Sequence, residues 1–166
     1  MVKIKHLLIG VPMVIIVIVV AFIVFPSEEK KVKKQFNLLS EYAAKSPKEN
    51  AFTMLQKIKN IKILFDEQCE LKFPSESLSG NYKREEIATY AGSARSYFSQ
   101  LHLNFYDFSI LFLEKEVAKV TLTSRLTGKS TAGEQVDETR ELECVLRKKE
   151  RKWLFSVIEV IEVLKK

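Results

Sequence analysis

Hydrophobic and polar residues follow one another along this chain in different rhythms, and each rhythm predicts a different element. From Leu7 to Phe25 there is no alternation at all, since nineteen residues pass without a charge. At ~1.5 Å per residue a helix of that length reaches about 28 Å, close to the ~30 Å hydrocarbon core of a bilayer. The run therefore reads as a single transmembrane anchor behind a short cytoplasmic head, residues 1–6. A cleaved secretory signal is the competing reading, because Lys3, Lys5 and His6 precede the run. Signal peptides, however, carry an apolar stretch of about 7–15 residues that ends in small side chains, whereas this one ends in Ile23-Val24-Phe25-Pro26-Ser27. The lysines alone do not orient the span, since Lys30, Lys31, Lys33 and Lys34 follow it. A long following domain crosses largely regardless of charge, so the expectation is amino terminus in the cytoplasm and domain outside, periplasmic in a bacterium.

After the span the period becomes helical. Val32, Phe36, Leu39 and Ala43, with Tyr42 beside them, predict a juxtamembrane amphipathic helix within residues 26–46 whose other face is lysine-rich. Ser46-Pro47-Lys48-Glu49 has the form of a capping box with proline at the first helical position, and predicts a helix over 47–62 that buries Phe52, Leu55 and Ile58. Phe65, Cys69, Leu71 and Phe73 then interleave with charge, as in a short strand ended by Pro74, and a turn follows through Ser75 to Tyr82. Ile87, Tyr90, Ala91, Ala94, Tyr97 and Phe98 restore the helical period over 84–99, with Glu85 and Glu86 in the first turn. Lys83 stands where a capping side chain is usual, which leaves Asn81 as the expected cap.

From Leu101 the period is two, over Leu101–Leu113, Val117–Thr127, Thr139–Lys148 and Trp153–Val163. Ala118, Val120, Leu122, Ser124 and Leu126 alternate with Lys119, Thr121, Thr123 and Arg125, so one face of this sheet is wet. In the first of these strands the apolar set changes sides between Phe105 and Phe108, which predicts a bulge at Tyr106-Asp107. Residues 128–136 read as an exposed loop, and the turn Lys148 to Lys152 lacks the usual glycine.

Helices, a strand, a helix and then four long strands define an α+β class: a curved, mostly antiparallel sheet with helices on its concave face, behind an N-terminal transmembrane helix. Tyr82-Lys83-Arg84-Glu85-Glu86-Ile87, which opens the helix before the sheet, and the ending Trp153-Leu154-Phe155-Ser156-Val157-Ile158-Glu159 resemble the nuclear transport factor two-like superfamily, the SnoaL-like and cystatin-like cones, over residues 47–166. The resemblance implies a cone with an inner cavity. It spans ketosteroid isomerases, cyclases and dehydratases as well as noncatalytic binding and scaffold domains, and bitopic scaffolds of type IV secretion systems present such a domain after one span. The fold therefore leaves the activity open.

Composition narrows the chemistry. The net charge of +6 is concentrated beside the span, where residues 26–62 hold nine lysines against four glutamates. Lys30, Lys31, Lys33 and Lys34 are thus candidates for anionic headgroups, and no nucleic-acid partner is expected. Apart from His6, His102 is the lone histidine, so a histidine-based zinc site is not expected, and no metal or cofactor is implied. Gly10, Gly80, Gly92, Gly128 and Gly133 are too scattered for a phosphate-cradling loop. Cys144, between Leu142 and Leu146 on the apolar side of an alternating strand, reads as a buried thiol, with a single bridge to Cys69 as the open alternative.

Two functions remain. One is a noncatalytic membrane-held module that binds a protein partner or a small apolar ligand in the cone. The other is a tethered enzyme of the ketosteroid isomerase or cyclase type, for which Asp107, Tyr106, His102 and Tyr90 are the candidates for proton transfer. Against that stands the plainer reading of Tyr90 as core, His102 as outer-face and Asp107 as bulge residue. Thr121, Thr123, Val145 and Val157 mark the outer sheet face as a candidate homodimer surface.

Overall fold

The computed structural model describes residues 27–73 and 79–164, with side chains described as far as Ile161. The anchor Leu7–Phe25, the head before it and Pro74 lie outside these residues. Among the described residues no helix is long and apolar enough to cross a membrane. The chain divides into two units, Met1–Lys31 and Val32–Lys166.

Among the described residues three helices and six strands follow in order: α1 Glu28–Ala43, α2 Ala51–Lys62, β1 Phe65–Lys72, β2 Gly80–Lys83, α3 Arg84–Tyr97, β3 Phe98–Glu114, β4 Val117–Ser130, β5 Gln135–Lys149 and β6 Lys152–Leu164. The strands form one sheet in the order β2-β1-β6-β5-β4-β3. Every neighbouring pair is antiparallel except β1 with β6, which makes the sheet mixed. The α+β class and the predicted helices and strands are therefore present, while β2 is an additional strand in place of the last part of the expected turn to Tyr82, because Gly80–Lys83 pairs with β1.

The bulge falls where the hydrophobic pattern changes sides. Pairing of β3 with β4 shifts between Tyr106 and Ser109, and Asp107 takes φ 55°, a left-handed conformation that Asp adopts more readily than most residues. Leu101 and Phe105 before the bulge, and Phe108 and Ile110 after it, are consequently all buried or half-buried on the core side. Phe36 of α1 seats in the concavity with its ring edge-on to Phe105, Phe108 and Phe155, centroids 5.3, 5.3 and 4.9 Å away. The α1 helix runs opposite to β3: Ser40 Oγ donates to the Leu103 carbonyl, and Lys45 exchanges backbone hydrogen bonds with Leu101.

Several expectations are corrected. The second helix starts at Asn50, whose Oδ1 accepts from Thr53 N at 2.8 Å. Ser46–Glu49 is a turn instead, because the Glu49 carboxylate is drawn into a buried pair with Arg95 rather than back onto the helix end. Phe52 and Leu55 are not buried, being 76% and 60% exposed. The helix α2 packs through its C-terminal half, with Ile58 against Gly92 of α3 and Ile61 in the core, so its first turns overhang. Asn81 does not cap α3; the N-cap is Lys83, whose amide donates to Glu86 Oε2 at 2.7 Å. Residues 128–136 are mostly strand, because β4 and β5 pair as far as Lys129 and Gln135 and Ser130 N donates to the Glu134 carbonyl. The glycine-free β5–β6 turn is closed by Glu150 and Arg151 at φ 49° and 68°.

Cys69 and Cys144 are both buried and free. Strand β6 lies between their strands, which separates the backbones by roughly 9–10 Å, beyond disulfide reach. Burial pushes the Cys69 thiol up to about 12 and raises that of Cys144 as well.

Candidate functional site

The concave side of the sheet is not filled. A cavity of about 620 Å³ opens between α1 and strands β3 to β6, within the range of small-ligand sites, which run to roughly 300–1,000 Å³. Its depth is apolar because the period-two pattern turns Leu103 and Phe105 of β3, Leu126 of β4, and Leu142 and Cys144 of β5 inward, while on β6 a bulge at Ser156, where Val157 faces Val145 and Phe155 faces Leu146, brings Phe155 onto the same side as Ile158 and Val160. Phe36 and Leu39 close it from α1.

Among the described residues three polar side chains interrupt this lining, namely Ser124, Glu138 and Arg140. Ser124 Oγ donates to the Arg140 carbonyl at 3.2 Å, so it is satisfied within the wall. Arg140 donates from Nε at 3.1 Å and Nη2 at 2.7 Å to Glu138 Oε2. Both remain solvent-accessible, with side chains 34% and 52% exposed, which places them at the rim rather than the floor. The cavity is thus a greasy cup with a guanidinium and a carboxylate at its lip. Such a lip can meet a carboxylate, phosphate or carbonyl oxygen at one end of an otherwise apolar molecule.

The four proton-transfer candidates are not brought together. Tyr90 lies on the exposed face of α3 with its ring edge-on to Tyr82, 5.4 Å between centroids, and not in the core. Tyr106 and Asp107 sit exposed at the bulge, and Asp107 shapes the backbone there. His102 is on the outer sheet face in a separate polar groove of about 340 Å³ with Gln100, Lys129 and Asp137, its Nε2 3.1 Å from Gln100 Nε2. None of the four lines the cavity. Among the described residues no three His, Cys, Asp or Glu side chains gather at metal-binding range.

Of the headgroup candidates, Lys31 pairs with Glu28 at 2.8 Å and Lys33 places its ammonium 5.8 Å from the Phe108 ring, while Lys30 and Lys34 are exposed. On the outer face Thr121 and Thr123 stand opposite Glu143 and Glu141, and Val145 opposite Val157. Ion pairs Lys119–Glu143 at 2.7 Å and Arg125–Asp137 at 2.8 Å cross the same strands.

Sequence reasoning missed Glu138 and Arg140, although the signal was present. Both share the even-numbered parity of Leu142, Cys144 and Leu146, so charge at that parity marks the place where the inward face of β5 reaches solvent. Arg95 was missed too. It is buried between α1 and α3, where Nη1 donates to the carbonyls of Tyr42, Ala43 and Ala44 at 2.7, 2.6 and 2.6 Å and Nη2 to Glu49. Nothing in its local sequence sets it apart from the solvated charges of neighbouring helices.

No family model and no curated protein matches this chain. Solved structures do. The Kfla4162 protein from Kribbella flavida superposes with a TM-score of 0.68 at 9% identity over 82% of this chain and 90% of that one. A hexachlorocyclohexane dehydrochlorinase, LinA type 2, gives 0.64 at 8% identity over 83% and 88%. A protein named as a candidate scytalone dehydratase, from Novosphingobium aromaticivorans, gives 0.65 at 14% identity over 83% and 85%. At such identities the likeness establishes the fold, the nuclear transport factor two-like cone. That fold is compatible with binding and with catalysis.

Proposed function

We propose that this chain is a membrane-anchored binding domain, held outside the cytoplasm by the span Leu7–Phe25, whose cone takes a small and largely apolar ligand. The observation that carries the reading is the open cavity of about 620 Å³, apolar in its depth and carrying Arg140 and Glu138 at its lip. Burying an aliphatic or aromatic body against Phe36, Phe105 and Phe155 supplies affinity, at about 25 cal/mol per Å² of apolar surface. Arg140 then orients the polar end. The ligand class is accordingly an amphiphile with one acidic or strongly polar terminus, such as a medium-chain carboxylic acid.

Binding is favoured over turnover because, among the described residues, the lining places no carboxylate or imidazole at depth. Glu138 is at the rim with Oε2 engaged twice by Arg140, and the Cys144 thiol is held neutral by burial. A tethered enzyme of the isomerase or cyclase type is the second reading. It is favoured by Glu138 being a carboxylate on the cavity wall, and by a neighbour of the same fold named as a dehydrochlorinase.

The test uses the full chain in lipid nanodiscs, titrated with 1-anilinonaphthalene-8-sulfonate and displaced by carboxylic acids of increasing length and by the matching alcohols. Displacement is expected from the wild type and lost in Leu142→Trp, which fills the cavity. Arg140→Gln is expected to weaken the acids and spare the alcohols. Dye binding that persists unchanged in Leu142→Trp sinks the cavity as the site. Turnover of a bound substrate, abolished by Glu138→Gln with binding retained, selects the enzyme instead.

A further inference from the structure

One end of the domain combines exposed hydrophobic side chains with clustered cations. Strand β3 ends in Leu111, Phe112 and Leu113, which are 59%, 41% and 55% exposed. The β3–β4 turn they precede is joined to the β5–β6 turn, since Lys148 N donates to the Glu116 carbonyl at 2.8 Å and the Phe112 ring lies 5.8 Å from that of Trp153. Ile63, also exposed, belongs to the same end, because β1 starts beside the start of β6, with Phe65 paired to Phe155 and Leu64 O accepting from Phe155 N. Around these side chains the β5–β6 turn, residues 147–152, carries Arg147, Lys148, Lys149, Arg151 and Lys152 with Glu150, and of these Lys149 is paired with Asp66 of β1 at 2.7 Å. The β3–β4 turn adds Lys115 between Glu114 and Glu116.

This is also the end at which the chain enters the domain. Because α1 runs opposite to β3, with Phe36 beside Phe108 and Lys45 beside Leu101, Val32 lies toward Leu111–Leu113. Residues 26–31, six in all, separate Val32 from the apolar run, and six residues reach at most about 20 Å even when fully extended. The cavity lip lies at the other end of the strands. There β4, β5 and the turn between them carry Glu134, Asp137, Glu138 and Glu141 against Arg125, Lys129 and Arg140.

From this placement we infer that the β3–β4 and β5–β6 turns dock on the membrane that holds the anchor, with Leu111, Phe112, Leu113 and Ile63 in the interfacial layer and Arg147, Arg151, Lys152 and Lys115 on anionic headgroups. Apolar side chains ringed by cations are the combination that binds an anionic interface. The inference rests on the anchored reading proposed above and extends it. Docking fixes the cone axis, so the cavity lip faces away from the bilayer and ligand is exchanged with the aqueous side or a partner there, not drawn laterally from the lipid.

The experiment places an environment-sensitive nitrobenzoxadiazole label on Leu113→Cys, and separately on Ala132→Cys at the far, exposed β4–β5 turn, in the full chain reconstituted into vesicles of phosphatidylcholine with phosphatidylglycerol. The native cysteines are buried, so labelling is selective. Blue-shifted emission and several-fold stronger quenching by headgroup-proximal nitroxide lipid are expected at position 113 and not at 132. Both effects are expected to fall in pure phosphatidylcholine and in Arg151→Glu/Lys152→Glu. A label at 113 that stays aqueous while the chain resists carbonate extraction overturns the docking and leaves the anchor standing. A shift that appears without lipid and grows with protein concentration assigns the tip to a second copy and overturns it as well. Should carbonate extract the chain, the anchored reading fails, and the extracted protein added to the same vesicles decides the docking by the same contrast between 113 and 132.

Discussion

Replacing Arg95 by methionine keeps most of the volume of its stem and removes its charge. The guanidinium is almost fully buried, its Nη1 donating to three carbonyls at the C-terminal end of α1 and its Nη2 to Glu49, itself buried. Those carbonyls are among the groups a helix end leaves without partners, and the last turn of α1 contains no basic residue of its own. The substitution therefore orphans part of a helix end and leaves the Glu49 carboxylate with Lys57 alone, 3.0 Å away. Breaking a buried, hydrogen-bonded ion pair from one side costs about 3–5 kcal/mol. Glu49→Gln, which keeps the shape and loses the charge, is expected to cost about 2 kcal/mol. The double variant should fall short of the sum by at least about 1 kcal/mol, because the two side chains touch. Urea unfolding followed by the fluorescence of Trp153, the single and buried tryptophan, measures all three. A loss below about 1 kcal/mol for Arg95→Met would refute the assignment of Arg95 as the clamp between α1 and α3. The pH dependence supplies a second check. Burial opposes the charge on Glu49, yet hydrogen bonds from Lys57 and Arg95 prevail and hold its carboxyl below the ordinary 4.5. A folded value below the unfolded one means that this stabilisation is present above pH 4.5 and is lost as the pH falls through the folded value. Glu49→Gln should remove that part of the acid sensitivity.

Three further outcomes are expected. Gly128→Ala would place a Cβ 2.6 Å from the Gln100 carbonyl oxygen, a backbone atom on the paired strand, so about 1–3 kcal/mol of stability should be lost, together with local order in the β3–β4 ladder by hydrogen exchange. Asp107→Val forces a β-branched residue to φ 55° and should cost about 1–2 kcal/mol, whereas Asp107→Gly should be neutral or better; equal unfolding midpoints for the two would show that the bulge is not strained. Cys69 and Cys144 should resist a disulfide reagent at pH 8 until urea unfolds the domain, and fast labelling of the native protein would contradict their burial.

The lip of the cavity shows how far local pattern reaches. Alternation along β4 and β5 is enough to put Leu126, Ser124, Glu138 and Arg140 on the inward face. Whether that face is packed or hollow depends on how far α1 sinks into the curve of the sheet. That depth follows from the bulge at Asp107 and the stack of Phe36 on three other rings, which are contacts between segments some 70 to 120 residues apart. The proton-transfer candidates rest on chemical type alone, and Tyr90 and His102 are dispersed by a decision of the same kind, namely which side of α3 and of β3 the rest of the chain covers.

The sequence by itself therefore determined the α+β class, most of the elements from 28 to 164, the parity of β4 and β5 and the bulge in β3, because each depends on near neighbours through a period of 2 or 3.6. It misplaced the start of α2 and the burial of Phe52 and Leu55, where Arg95 of a distant helix competes for Glu49 and α2 packs by one half. Tertiary structure alone decided that the cone is open, that Glu138 and Arg140 form its lip, and that one end of the sheet gathers Leu111, Phe112 and Leu113 with the cations of the β5–β6 turn. Each of these is a property of surfaces formed by several segments at once, and cavity volume or a patch of charge has no representation in the periodicity of any one of them.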